Sequence, residues 1–178
     1  MRIISGKLKG IRINPPRNLP VRPTTDLSKE ALFNILQHMV DFDETTVLDL
    51  FAGTGNMTYE FASRGCPQVT AVDAHFNCAR FIKETAASLK LEGVNVMKSD
   101  VFKFLDIENE PYDLIFADPP YDLPRLTEIP GIVFQKELLK AGGMLIVEHP
   151  ALRKLDNLPN FDQQRTYGQS AFSFFIHA

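Results

Sequence analysis

Short apolar runs alternate with segments of helical periodicity along most of this 178-residue chain. The apolar runs predict strands at 46–51, 69–72, 94–97, 112–117 and 144–148, with helices between them. This alternation is typical of a mostly parallel sheet covered by helices on both faces. Two final runs, 164–167 and 171–176, are joined by Gly168-Gln169-Ser170 and predict a closing antiparallel hairpin. We therefore expect an α/β fold with a mostly parallel seven-stranded sheet and an antiparallel C-terminal hairpin.

The beginning of the chain does not follow this alternation. Two short runs around Gly6 and Gly10 predict a small β-hairpin, and four prolines between 15 and 23 predict a stiff connector. We interpret residues 1–24 as an appendage and residues 25–178 as the main domain. Either Thr25 or Asp26 is expected to cap the first helix of that domain.

The composition is that of an ordinary globular protein, with 44% hydrophobic and 23% charged residues. No apolar run approaches the length of a membrane helix, and the N-terminus lacks the apolar core of a signal peptide. We therefore expect a cytoplasmic protein that does not associate with membranes. Cys66 and Cys78 have no metal-binding spacing, and no structural metal is expected.

The charge is unevenly distributed, although the net charge is only -3. No acidic residue occurs in the first 25 positions, which hold the basic residues Arg2, Lys7, Lys9, Arg12, Arg17 and Arg22. The remaining chain has 13 basic and 22 acidic residues. A basic block of this kind suits a nucleic-acid phosphate backbone, but it also suits a solvated hairpin. Charge alone leaves both interpretations open.

A small-residue turn follows the first predicted strand and opens a helix, as in nucleotide-binding α/β folds. Acidic residues then follow the second and third strands, where Asp73 is placed to accept ribose hydroxyls and Phe102 to flank an adenine ring. The predicted cofactor-binding residues are Asp49, Phe51, Ala52, Gly53, Thr54, Gly55, Asp73, Ala74, Asp100, Val101, Phe102 and Asp118. The acids could instead only cap helices, but their recurrence at successive strand ends favours a ligand site.

Two kinds of cofactor could use this turn. A nicotinamide dinucleotide calls for a third glycine three residues after Gly55, so that the helix can hold a pyrophosphate. That position is Thr58. S-adenosylmethionine has no pyrophosphate and does not need the third glycine.

A rigid tetrapeptide, Asp118-Pro119-Pro120-Tyr121, follows the fourth predicted strand. Its two prolines fix two φ angles and remove two N–H donors, so that the loop offers mainly acceptors beside an aromatic ring. A flat group that donates hydrogen bonds, such as the exocyclic amine of a nucleobase, would fit this loop. The same tetrapeptide could also be an ordinary turn with Tyr121 packed into the protein.

These motifs together resemble a known family. The family signatures are Gly6-Lys7-Leu8-Lys9-Gly10, Arg22-Pro23-Thr24-Thr25-Asp26, Glu30 to Leu36, Leu48 to Gly55, Ser63-Arg64-Gly65, Asp118 to Tyr121 and Tyr167-Gly168. The chain is similar over nearly its whole length to the RsmD family of bacterial 16S ribosomal RNA guanine-N2-methyltransferases.

The resemblance implies a Rossmann-like class I methyltransferase that uses S-adenosylmethionine. It implies that Asp118, Pro119, Pro120 and Tyr121 hold the target guanine, and that Arg22, Pro23 and Thr24 fold over the cofactor. Ribosomal RNA, or the small ribosomal subunit, would then contact Arg2, Lys7, Lys9, Arg12, Arg17 and Tyr121. We expect a monomer.

Three alternatives remain at this point. The same chemistry could act on adenine or cytosine in DNA or another RNA, since no motif separates these bases from guanine. A nicotinamide oxidoreductase is disfavoured by Thr58 and by the Pro-Pro loop. A non-catalytic RNA-binding assembly factor is disfavoured by the intact acids.

Overall fold

The computed structural model describes residues 1–21 and 25–178. Its helices are α1 (Asp26–Leu36), α2 (Asn56–Ser63), α3 (Phe76–Ser88), α4 (Val101–Ile107) and α5 (Ile129–Gln135). Its strands are β1 (Thr46–Leu50), β2 (Gln68–Asp73), β3 (Val94–Lys98), β4 (Tyr112–Ala117), β5 (Leu139–Pro150), β6 (Phe161–Tyr167) and β7 (Ser170–Ile176).

All seven strands belong to one sheet in the order β3-β2-β1-β4-β5-β7-β6. Strands β1 to β5 pair in parallel, whereas β7 runs antiparallel between β5 and β6. The predicted fold class is therefore confirmed. The chain moves outward from β1 to β3 and then returns to begin β4 on the other side of β1. This reversal places a crevice between the carboxyl ends of β1 and β4, where open α/β sheets bind their ligands.

The sheet is buried on both faces, as a parallel sheet requires. Successive residues of β1 alternate between the two apolar clusters, with Val47 in one and Leu48 in the other. In β4, Leu114 and Ile115 divide in the same way, and all four side chains are fully buried. This double burial holds the strand ends in a fixed register, so that Leu50 lies beside Ala117.

The predicted N-terminal hairpin is present as a single antiparallel bridge between Arg2 and Arg12. Backbone hydrogen bonds from Ile3 N to Ile11 O (2.9 Å) and from Gly10 N to Ile3 O (2.8 Å) close the loop. The loop packs on α2, since Leu8 N donates to Ser63 Oγ at 2.9 Å. The domain boundary near residue 24 stays a prediction.

Some predicted boundaries shift in the structure. Thr25 is the cap of α1, with Ser28 N donating to its hydroxyl oxygen at 3.2 Å; the helical spacing of apolar residues continues to Met39, but the helix ends at Leu36. Strand β5 begins at Leu139, well before the predicted 144, and its first residues were missed because residues 140–143 lack an apolar pattern. Among the described helices, none has the length and apolarity needed to cross a membrane.

Candidate active site

A cavity of about 980 Å³ opens at the carboxyl edge of the sheet, beside the crevice between β1 and β4. This volume lies at the upper end of the roughly 300–1,000 Å³ typical of ligand sites. From the main domain, its walls include Asp49, Phe51, Ala52, Gly53, Thr54, Asp73, Ala74, Asp100, Val101, Asp118, Pro119, Pro120 and Tyr121. The structure therefore brings together most of the residues that the sequence predicted for cofactor and catalysis.

The turn after β1 contains glycines in backbone conformations that residues with a side chain rarely adopt. Gly53 and Gly55 have φ angles of 59° and 87°. Gly55 is not one of the described residues that line the cavity. A Cβ at Gly55 would lie 2.6 Å from the ring of Tyr59, so that glycine here leaves room for the tyrosine beneath the turn.

Asp73 joins this turn to the end of β2. Its two carboxylate oxygens accept the backbone N–H groups of Gly53 (2.8 Å) and His75 (2.9 Å). Charge-assisted bonds from two loops fix the carboxylate at the cavity wall. This is the position that the sequence predicted for a ribose-binding acid.

Asp49 is the most deeply buried acid of the site, with 1% of its surface exposed. The hydroxyl of Thr58 donates to it at 2.6 Å. Burial, together with the negative charges of Asp118 and Asp73, raises the pKa of Asp49 to about 7. A positive charge placed in the cavity would stabilise the ionised carboxylate and lower its pKa.

The α4 side of the cavity agrees only in part with the prediction. Asp100 caps α4, accepting from Lys103 N at 3.1 Å, and it lines the cavity together with Val101. The next residue, Phe102, is buried in the apolar cluster, and the guanidinium of Arg125 lies 3.9 Å from its ring centroid. Since successive helical residues point about 100° apart, Phe102 turns away from the cavity. The structure does not support its predicted contact with an adenine ring.

The Asp-Pro-Pro-Tyr loop leaves β4 as predicted, and all four of its residues line the cavity. Asp118 N donates to Leu50 O at 3.3 Å, which ties the loop to the end of β1. The hydroxyl of Tyr121 forms a hydrogen bond with the hydroxyl of Ser170 at the start of β7. Ser170 was not predicted, because only the folded sheet brings the last hairpin to this loop.

The N-terminal connector forms one wall of the cavity. The residues that it contributes are Pro15, Pro16, Arg17, Leu19, Pro20 and Val21. Of these, only Arg17 was a predicted site residue, and it was predicted for RNA. The proline content could have indicated a fixed wall rather than a spacer. Arg22, Pro23 and Thr24, which were predicted to cover the cofactor, lie outside the described residues.

The predicted RNA-binding residues divide among different places. Arg2 and Lys9 line a second, smaller hollow, and Arg2 also pairs with Asp26 at 3.6 Å. Lys7 and Arg12 are exposed and line neither opening. Of the predicted RNA-binding basic residues, only Arg17 lines the active-site cavity among the described residues.

The charge of the large cavity identifies the kind of ligand that fits. Its lining acids are Asp26, Asp49, Asp73, Asp100 and Asp118, whereas Arg17 is the one lysine or arginine among the described lining residues. A cavity of this kind attracts a cation and repels a diphosphate. S-adenosylmethionine, with a sulfonium and an ammonium group, fits these residues; a nicotinamide dinucleotide does not.

This fold and this site define an S-adenosylmethionine-dependent methyltransferase of the Rossmann-like class. A family model described as "Conserved hypothetical protein 95" matches residues 1–176, and the chain belongs to that family, the RsmD methyltransferases. The resemblance that the sequence motifs indicated is thereby confirmed, as is the cofactor.

Relatives and solved structures agree with this placement. The chain is 30% identical over 161 residues to "Ribosomal RNA small subunit methyltransferase D" of Buchnera aphidicola, covering 90% of this chain and 82% of the relative. It is similar to a structure titled "Putative methyltransferase yhhF from Escherichia coli", with a TM-score of 0.86, 27% identity and coverage of 99% and 97%. A Thermus thermophilus 16S rRNA N2 G1207 methyltransferase in complex with AdoMet and guanosine has a TM-score of 0.72 at 20% identity, covering 90% of this chain and 45% of that one; it shows the shared fold.

Proposed function

We propose that this protein transfers the methyl group of S-adenosylmethionine to the exocyclic N2 amine of a guanine in 16S ribosomal RNA. The observation that carries the proposal is the rigid acceptor loop after β4, which lines an acidic cavity beside the glycine turn of β1. The names of the relatives support a ribosomal RNA substrate. The guanine amine is what the family resemblance implies.

The residues that would hold S-adenosylmethionine come from three strand ends. Asp73 and Asp100 would accept hydrogen bonds from its polar edges, while the buried charge of Asp49 would favour its positive end. When bound, S-adenosylmethionine supplies a methyl group already activated by its sulfonium.

The protein contributes mainly orientation of the amine, and the proton that the nitrogen releases after methylation would pass to Asp118 or to solvent. The carboxylate of Asp118 and the carbonyl of Pro119 would accept the two N–H bonds of the target amine. Pro119 and Pro120 have no N–H of their own, so these two positions offer no backbone donor to compete for the acceptors. Two acceptors held in this way favour a more tetrahedral nitrogen whose lone pair points into the cavity.

Tyr121 would provide the surface on which the base rests. A base must leave its helix or stack to enter the cavity, and an aromatic ring compensates for the lost stacking. The hydrogen bond to Ser170 fixes the tyrosine at the edge of the opening. Tyr121 is therefore proposed to select flat bases, while Asp118 selects their amine.

The basic N-terminal segment would position the RNA around the opening. Arg2, Lys7, Lys9, Arg12 and Arg17 are exposed or partly exposed, as phosphate-binding side chains must be. We further propose that the enzyme acts in the cytoplasm as a monomer, with residues 1–24 as an RNA-binding appendage. Arg22, Pro23 and Thr24 are proposed to complete the cover over the cofactor.

The decisive experiment is nucleoside mass spectrometry of small-subunit RNA from a deletion strain. Loss of one N2-methylguanosine, restored by the wild-type gene, is the expected result. Unchanged N2-methylguanosine together with a loss of methyladenosine or methylcytosine would replace guanine with another base as the substrate. No change in any methylated nucleoside would contradict the proposed function.

Asp118→Ala tests the role of the loop. We expect methyl transfer to fall by at least about 100-fold, since a preorganised polar contact to the reacting group is lost. Binding of S-adenosylhomocysteine, measured by calorimetry, should remain within a few fold of wild type. Asp122→Ala, which alters an exposed acid four residues further on, is the matched control and should retain activity. Normal turnover of Asp118→Ala would remove Asp118 from its proposed role.

A further inference from the structure

A second opening lies between the N-terminal loop and α1, outside the cofactor cavity. It has a volume of about 350 Å³, which is large enough for one small ligand. Building on the proposed function, we propose that this hollow binds a nucleotide of the RNA strand next to the target base. It would thereby help to choose which guanine enters the active site.

The side chains of the hollow are those that recognise nucleotides. Arg2 and Lys9, both exposed, supply cations from the N-terminal loop. On the opposite wall, Glu30 and Asn34 lie one turn apart on α1 and Gln37 is its C-cap, and all three are exposed. Cations suit a phosphate, while amides and a carboxylate suit the donors and acceptors of a base edge.

The hollow adjoins the active-site cavity. Met1 lines the cavity, while its neighbour Arg2 lines the hollow. Arg2 also pairs with Asp26, a cavity residue, at 3.6 Å. One ion pair and one peptide unit therefore separate the two openings. An RNA strand that places a base in the cavity can place an adjacent nucleotide in the hollow.

The wall of the hollow is held in place before RNA arrives. The carboxylate of Glu60, which is fully buried, accepts Ile4 N at 2.8 Å and Ser5 N at 3.1 Å. Buried Lys29 donates to the carbonyl of Arg2 at 2.6 Å and lies 3.2 Å from the same carboxylate. The loop that carries the cations is thus fixed to α1 and α2. A preformed site loses less entropy on binding than a mobile arm.

Direct RNA binding tests the hollow without requiring catalysis. The probe is 16S ribosomal RNA from the deletion strain, and the measurements are its dissociation constant and the salt dependence of that constant. Lys9→Ala should weaken binding several fold and reduce the salt slope by about 0.7 to 0.9, the contribution of one phosphate contact. The double variant Asn34→Ala, Gln37→Ala should weaken binding at least about 5-fold with an unchanged slope, since it removes base contacts.

Matched controls are Lys83→Ala on α3 and Gln135→Ala on α5, which are exposed positions that line neither opening. Their RNA affinity should equal that of wild type. All variants should keep the wild-type melting temperature and affinity for S-adenosylhomocysteine, because they leave the fold and the cavity intact.

The two proposals can fail separately. If the hollow variants bind the RNA as tightly as wild type, or if the wild-type protein does not bind it, the inference about the hollow is wrong. If the wild-type protein binds the RNA but methylates no guanine in it, the proposed function is wrong, while the comparison of variants still decides the role of the hollow.

Discussion

Substituting Asp49 by Asn should stabilise the ligand-free protein and weaken its cofactor site. The carboxylate is 1% exposed, and its burial beside Asp118 and Asp73 raises its pKa to about 7. In the unfolded chain the same group titrates near its ordinary 3.8. Asn keeps an acceptor for the hydroxyl of Thr58 but carries no charge, so the substitution removes the cost of ionising a buried acid.

The magnitude follows from the two pKa values. Between pH 4 and 7 the native state holds a proton at Asp49 that the unfolded state has released, so the stability from this group falls as pH rises. The stability that protonated Asp49 contributes is fully present below pH 3.8 and is lost once the pH passes 7. A gap of about three pH units at 1.36 kcal/mol per unit corresponds to about 4 kcal/mol. Asp49→Asn should therefore exceed wild type by about 1.5 kcal/mol at pH 5 and about 4 kcal/mol at pH 8.

Urea unfolding of both proteins at several pH values between 5 and 8 measures this difference directly. Asp113→Asn is a control for which the opposite change in stability is expected. Burial alone would raise the pKa of Asp113, but hydrogen bonds from Thr46 and the charge of Lys140 outweigh it and lower the pKa. This control should lose stability at neutral pH. A difference between Asp49→Asn and wild type that stays constant from pH 5 to 8 would refute the reasoning.

Three further substitutions, two of them with a matched control, test contacts of the site and of the N-terminal loop. Thr58→Val removes the hydroxyl that donates at 2.6 Å to the buried acid of β1, and we expect a loss of about 1–3 kcal/mol at pH 8 by urea unfolding. The loss should be smaller in the Asp49→Asn background, where the acceptor is neutral, and an equal loss there would contradict a charge-assisted bond. Glu60→Gln leaves the fully buried Lys29 and the largely buried Arg64, which pairs with Glu60 at 2.9 Å, without their counter-charge and should cost about 3–5 kcal/mol. Its control, Glu84→Gln, breaks the exposed Arg80–Glu84 ion pair, which is also 2.9 Å long, and should cost below about 0.5 kcal/mol. Equal losses of stability in the two variants would show that burial does not cause the large loss expected for Glu60→Gln. Gly6→Ala places a Cβ 1.9 Å from a backbone carbonyl of α2 and should lower stability by on the order of 3 kcal/mol. Gly10 also has a positive φ but has open space around it, so Gly10→Ala is the control and should cost only about 1 kcal/mol by urea unfolding.

The sheet could be predicted because strand period and turn chemistry are local properties of the sequence. The run Tyr112–Ala117 was predicted with its actual bounds, and the Asp-Pro-Pro-Tyr loop lies where its place after the fourth strand indicated. Strand β5 was predicted too short, because Lys140 to Gly143 lack the apolar pattern by which a strand is recognised. The segment is an irregularity of the strand, because the register against β4 shifts between Tyr112 and Leu114 and Gly142 has a φ of 78°.

Side-chain direction and long-range docking could not be predicted in the same way. Val101 and Phe102 both follow a predicted strand, yet the phase of α4 turns the first to the cavity and the second to the core. The partner of Tyr121 is 49 residues away, at Ser170, and only the sheet order brings the two together. The Arg17 wall of the cavity likewise depends on how the N-terminal loop packs on α2. These contacts belong to the tertiary structure and leave no periodic signal in the sequence.

The acidity of the chain and its proposed RNA substrate are compatible, because the two charges serve different ligands. Five aspartates line a cavity that must accept a cation, and burial, together with the charges of Asp118 and Asp73, raises the pKa of Asp49 to about 7. In the basic N-terminal segment, Arg17 lines that cavity, while Arg2 and Lys9 line the neighbouring hollow. An RNA strand can therefore contact the basic segment while only a base enters the acidic cavity. Net charge averages over these two regions, and for this reason the total of -3 does not exclude a polyanionic substrate.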